Sequence, residues 1–129
     1  MRRLLLYCVL FVFAYGQTEL TSGVPVIGSV LRQSFASYYI QVPSSNSYDL
    51  VIELDQLSGS TSTDIYIRYS QPPTLSEYAG YNSASADPKT LFWGSCYSTG
   101  GTWYISVYGD TSTSYTSRDF NLTATLGMK

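Results

Sequence analysis

The sequence contains no histidine. That absence removes the Ser-His-Asp and Cys-His relays of nucleophilic catalysis, and every zinc site that needs an imidazole. Carboxylates are what remain for acid–base work. Glu53 and Asp55 stand two apart, and in an extended strand this spacing puts both on one face with Cβ atoms roughly 6.5–7 Å apart. The same pair reads equally as a solvated polar face, so no enzyme is predicted. Hard cations want several carboxylate and carbonyl oxygens gathered on loops. Asp55 and Asp64 flank a Ser/Thr/Gly run, and Asp110 and Asp119 flank another. Asp55 and Asp64 are therefore the candidate calcium ligands; the competing reading is local backbone bonding by strand-end acids. No Asp-x-Asp-x-Asp-Gly loop is present, and no other cofactor is implied.

The residues best suited to contact another molecule are tyrosines. The chain has 13, with two tryptophans, while charged residues make up only 12%. Tyrosine offers a flat apolar ring and a hydroxyl with little entropy to lose on binding. Whether these rings gather depends on the strands that carry them. Period-two alternation bounded by turn residues predicts strands over Val26–Leu31, Phe35–Val42, Tyr48–Leu57, Asp64–Tyr69, Lys89–Trp93, Thr102–Tyr108 and Asp119–Leu126. Parity sends Tyr38, Ile40, Val42, Leu50, Ile52, Leu54, Ile65, Ile67, Tyr69, Trp103, Ile105, Val107, Phe120, Leu122, Ala124 and Leu126 inward. Tyr39, Tyr66, Tyr104 and Tyr108 point the other way, and if their strands share a sheet they form one aromatic patch. That patch is either a binding face or cross-strand pairing that covers the sheet. Seven to eight short strands at this spacing predict an all-β, antiparallel two-sheet β-sandwich. The connection from Gln71 to Pro88 is too long for an ordinary loop, so it is functional or ordered on its own. Tyr78 and Tyr81 within it either rim the patch or pin the loop.

The first residues serve a different purpose. Arg2 and Arg3 precede an apolar run from Leu4 to Ala14, and Ala14-Tyr15-Gly16 places small residues for cleavage. This predicts a signal peptide over 1–16, cut between Gly16 and Gln17, and one domain over 17–129. The run is shorter than the ~20 residues a bilayer core demands, so membrane insertion is not expected and the product is secreted. Lys and Arg number 7 against 9 acids, with no basic cluster, which argues against nucleic acid as a partner. Cys8 leaves with the leader, and Cys96 is then a lone thiol in an oxidising route. It is either a buried small hydrophobe or the link to a disulfide partner. Asn121-Leu122-Thr123 is an N-glycosylation sequon, with Asn121 outward by parity.

Three stretches resemble the bacterial pre-peptidase C-terminal domain, a β-sandwich accessory module of secreted peptidases. Phe35-Ala36-Ser37-Tyr38-Tyr39-Ile40-Gln41-Val42-Pro43 is similar to its aromatic second strand ending in Val-Pro. Thr63-Asp64-Ile65-Tyr66-Ile67-Arg68-Tyr69, followed by Pro72-Pro73-Thr74, resembles its Asp-Leu-Tyr-Val strand and Pro-Thr segment. Gly101-Thr102-Trp103-Tyr104-Ile105-Ser106-Val107-Tyr108-Gly109 resembles its Gly-x-Trp-Tyr-x-x-Val-x-Gly strand. The resemblance implies a jelly-roll-like sandwich and an accessory role: attachment to a substrate or surface, or support of secretion. Related collagenase modules bind collagen, some with calcium. In that family the domain usually follows a catalytic domain, whereas here it follows the leader directly.

These readings combine into one functional expectation. The chain is a secreted, non-catalytic module that binds an extracellular polysaccharide or protein through Tyr39, Tyr66, Tyr104 and Tyr108. The alternative is a structural or maturation partner of another secreted protein, joined through Cys96 or without a covalent link.

Overall fold

The computed structural model describes residues 17–44, 48–57, 63–94, 100–110 and 117–128. They form nine strands: β1 Thr18–Glu19, β2 Val26–Val30, β3 Phe35–Val42, β4 Tyr48–Gln56, β5 Thr63–Tyr69, β6 Gly80–Asn82, β7 Lys89–Trp93, β8 Gly101–Gly109 and β9 Arg118–Met128. No helix occurs among the described residues, and hence none long and apolar enough to cross a membrane. The strands build two sheets, ordered β1-β3-β8-β5-β6 and β2-β9-β4-β7. Every pairing is antiparallel except that of β1 with β3. From β2 onward the chain passes from one sheet to the other at each connection except the β5–β6 hairpin. The result is the two-sheet sandwich that the alternation predicts, in the jelly-roll order that the resemblance implies.

The parity argument places the core correctly. In the five-stranded sheet, Ile40 faces Trp103, Tyr38 faces Ile105, and Ile65 and Ile67 face Val107 and Ile105. In the four-stranded sheet, Leu50, Ile52 and Leu54 of β4 lie opposite Leu126, Ala124 and Leu122 of β9. All of these except Leu126 are buried, and together they form one cluster with Phe120, Val30, Val42 and Leu20. Each fully buried Leu, Ile or Phe contributes roughly 1.5–3 kcal/mol of transfer free energy, so the clamping of the two layers is what holds the fold. Tyr69 keeps the inward face, level with Trp103, but is not buried. It sits at the mouth of the sandwich, exposed, with its ring 5.2 Å from Trp103 and its hydroxyl donating to the Gly100 carbonyl at 2.8 Å.

Two strands lie outside those the alternation predicts. β1 is only two residues long, and β6 is a three-residue edge strand inside the long connection. Neither is long enough to show alternation. β6 is fixed by its neighbours: Ile65, Tyr66 and Ile67 pair with Asn82, Tyr81 and Gly80. The Asn82 side chain donates to the Thr90 carbonyl of β7 at 2.6 Å, stitching the facing edges of the two sheets. Gly80 permits this closure, because a Cβ there would lie 2.4 Å from the Trp93 ring.

Candidate functional site

The strand order places all four outward tyrosines on the outer face of the five-stranded sheet. Register arranges that face in cross-strand rows. Phe35, Tyr108 and Asp64 make the first, Ser37, Ser106, Tyr66 and Tyr81 the second, and Tyr39, Tyr104 and Arg68 the third. The second row has small residues on β3 and β8. Over them the Phe35 ring reaches across β8 to meet Tyr66 at 5.8 Å, which leaves Ser106 fully covered. Tyr66 is the centre of a five-ring cluster. It stacks on Tyr81 at 5.7 Å and meets Tyr78 and Tyr108 edge-on at 5.2 and 6.2 Å. Phe35 closes on Tyr108 at 4.9 Å, and Tyr78 on Tyr81 at 5.1 Å. Tyr39 and Tyr104 form a separate tilted pair at 6.0 Å in the third row.

The four tyrosines singled out from sequence are not equally accessible. Tyr108 is only 8% exposed, buried under Phe35 and Tyr66, while Tyr39, Tyr66 and Tyr104 are half-buried. The open ring surface belongs to Tyr78 and Tyr81, at 39% and 50% exposed. The segment between β5 and β6 folds back to put them there. Thr74 and Glu77 close a turn: the Thr74 amide donates to the Glu77 carbonyl and the Glu77 amide to Thr74 Oγ1, both at 2.9 Å. Arg68 anchors the turn to the sheet through Glu77 at 3.3 Å and the Pro72 carbonyl at 3.4 Å. Ala79 then donates to the Ile67 carbonyl at 2.7 Å and feeds the chain into β6. Burial, the nearby Asp64 carboxylate and the surrounding Tyr78, Tyr108 and Tyr81 all push the Tyr66 phenol above its ordinary pKa. It therefore stays a neutral donor through the physiological range.

The acids behave differently from the calcium arrangement considered from sequence. Asp55 is exposed on the outer face of the four-stranded sheet, opposite Asn121. Asp64 is buried on the other sheet, and its Oδ1 lies 3.7 Å from the ammonium of Lys89. The structure does not bring Asp55 and Asp64 together, and among the described residues no group of three or more acids and cysteines is placed to hold a metal. Lys89 is the residue the sequence reading passed over. It is 2% exposed, starts β7 in one sheet, and sends its Nζ to the Thr63 carbonyl and Asp64 carboxylate of β5 in the other. Gln56 Nε2 donates to Thr63 Oγ1 beside it. Burial pushes the Lys89 ammonium below its ordinary pKa, opposed by Asp64, and pushes the Asp64 carboxyl up, opposed by Lys89. The signal was available: Lys89 is one of only two lysines, and it opens an apolar strand.

Of the remaining sequence candidates, Asn121 sits half-buried in the middle of the four-stranded sheet, on its outer face between Ile27 and Asp55. Glu53 is exposed in the adjoining row, opposite Thr123 and Thr90. Gln17 is exposed at the start of the described chain. Gly16 and Cys96 lie outside the described residues.

No protein-family model matches the sequence, and no curated protein matches it. Solved structures do. The periplasmic inhibitor of g-type lysozyme, PliG, from Aeromonas hydrophila superposes with a TM-score of 0.63 at 12% identity, covering 86% of this chain and 96% of that one. The pre-peptidase C-terminal domain of a Bacillus anthracis collagenase gives 0.62 at 14% identity, covering 84% and 93%. PliG from Salmonella Typhimurium gives 0.52 at 7% identity, covering 86% and 98%. The chain therefore shares its fold with a pre-peptidase C-terminal domain, as the sequence resemblance led us to expect. It shares that fold equally with lysozyme inhibitors, and at such identities the likeness concerns the fold alone.

Proposed function

We propose that this chain is a secreted, non-catalytic binding module whose tyrosine face grips an extracellular protein or polysaccharide. The observation that carries the reading is the five-ring cluster around Tyr66, which holds Tyr78 and Tyr81 open to solvent on an ordered turn. Rigid aromatic groups presented this way gain contact area at small entropic cost. An exposed, connected aromatic surface is where a monomeric domain would engage a partner. The lack of histidine supports a role without chemistry. So do the fold neighbours, one an inhibitor of g-type lysozyme and the other a pre-peptidase C-terminal domain of a collagenase. The leader at 1–16 supports delivery outside the cytoplasm.

The test is a binding panel of fibrillar collagen, insoluble polysaccharides and g-type lysozyme, read by pull-down and then by titration calorimetry. Tyr81→Ser, Tyr66→Ala and Tyr104→Ala should each weaken whichever ligand binds, the first by about tenfold or more, the loss expected for a central aromatic contact. Full affinity in all three variants would remove the tyrosine face from consideration. The calcium reading is checked in the same panel by adding chelator, which should leave binding unchanged when the aromatic rings carry it.

A further inference from the structure

We propose that Lys89 and Asp64 condense to an intramolecular amide, a covalent strap between the two sheets. The geometry has the features such a bond requires. The amine and the carboxyl come from different sheets, both are buried, and Lys89 Nζ lies 3.7 Å from Asp64 Oδ1, so the two groups are already side by side. Lys89 is fixed by its bond to the Thr63 carbonyl, so the nitrogen cannot swing away to solvent. Of the other acids that act on Lys89, Asp87 is exposed and occupied, accepting the Gln56 backbone amide at 3.0 Å, and Asp110 is only half-buried. Asp64 is thus the partner.

The chemistry balances without a co-reactant. A carboxylate resists attack and an ammonium cannot attack, but burial favours the neutral form of each. One proton passes from Lys89 to Asp64, giving an amine beside a carboxylic acid. The Nζ lone pair adds to Asp64 Cγ, the C–OH bond breaks, and the hydroxyl leaves as water with a proton from nitrogen. An Nζ–Cγ amide remains, and no atom changes oxidation state. Asp110 stands at the same end of the sandwich. It follows Gly109, whose register partner is Thr63, and its charge acts on both Lys89 and Asp64. That charge favours the protonated form of the Asp64 carboxyl. In water, amide formation from a free acid and amine is uphill. Holding the two groups together in a buried site offsets part of that cost by removing the entropy of bringing them together. The product suits a secreted sandwich whose only cysteine after the leader is Cys96, because no internal disulfide can then join its layers.

Mass spectrometry of a tryptic digest of the purified secreted chain decides the matter. The expected product is a branched species in which residues 33–68 are joined to 69–118, uncleaved after Lys89, and lighter than its parts by one water. Its fragment ions should place the link on Asp64. Lys89→Arg should release separate fragments with no loss of water, and Asp64→Ala should give the same unlinked pattern. Free fragments 33–68 and 69–89 at their unshifted masses from the wild-type chain would overturn the proposal. A link that maps to Asp87 would overturn the assignment of Asp64.

Discussion

A lysine at 2% exposure between two sheets is a costly choice of residue, and its consequences can be argued from charge alone. With Lys89 replaced by methionine, no amide can form and the Asp64 carboxylate stays buried with neither a link nor the Lys89 cation beside it. Removing one partner of a buried pair costs about 3–5 kcal/mol, whereas removing both is often neutral. Lys89→Met should therefore be markedly less stable at pH 7 than the double variant Lys89→Met/Asp64→Asn. The pH dependence has a definite sign. The folded Asp64 pKa is already raised by burial, and loss of the Lys89 charge raises it further. Its stabilising contribution is then present below the unfolded carboxyl pKa and lost as pH rises through the folded one. Urea melts of the two variants at pH 4 and pH 7 should converge in acid and separate at neutrality. Parallel curves would show that Asp64 does not titrate in the folded state.

At the scale of elements, the informative strand is β6, because three residues cannot hold an edge by pairing alone. Its stability comes from Tyr66, whose ring touches Phe35, Tyr78, Tyr81 and Tyr108. At about 0.5–1.5 kcal/mol per aromatic pair, Tyr66→Ala removes enough to free the β6 edge while β5 stays paired with β8. Hydrogen exchange should then show the Ala79–Asn82 amides losing protection, with β8 unchanged. Gly80→Ala attacks the same edge from the other sheet. A Cβ placed 2.4 Å from the Trp93 ring must displace it, at a cost of about 1–3 kcal/mol, and tryptophan emission should shift red as the half-buried ring opens to water. Sequence made the long strands legible because each runs through enough residues for period-two alternation to repeat. It could not reveal β6, whose place is set by pairing with β5 and by Asn82 reaching Thr90. Nor could it show that Tyr108, outward by parity, would be roofed by Phe35. Parity assigns a face, but the neighbours across the sheet decide whether that face is wet.

For the molecule as a whole, the two outer faces differ in kind, and this difference makes the proposed function testable in one comparison. The five-stranded sheet presents linked aromatic rings. The four-stranded sheet presents Thr123, Thr125, Glu53 and Asp55, with apolar side chains only at Ile27 and at the cross-strand pair Val51 and Phe92 among these rows. Scattered apolar residues are ordinary on any surface, whereas a connected patch is not. Phe92→Ser on the four-stranded sheet should therefore leave ligand affinity unchanged, while Tyr78→Ser/Tyr81→Ser on the opposite side abolishes measurable binding. The net charge of −2 and the low content of charged residues add a second discriminant. Contacts made by rings are little screened by ions, whereas exposed charge pairs weaken once the Debye length falls to about 3 Å near 1 M salt. Calorimetric titration at about 0.1 M and 1 M salt should give affinities within roughly threefold of each other. A steep fall with salt would transfer the binding role from the tyrosine sheet to the acidic one, where Glu53→Gln and Asp55→Asn would then be the variants that abolish it.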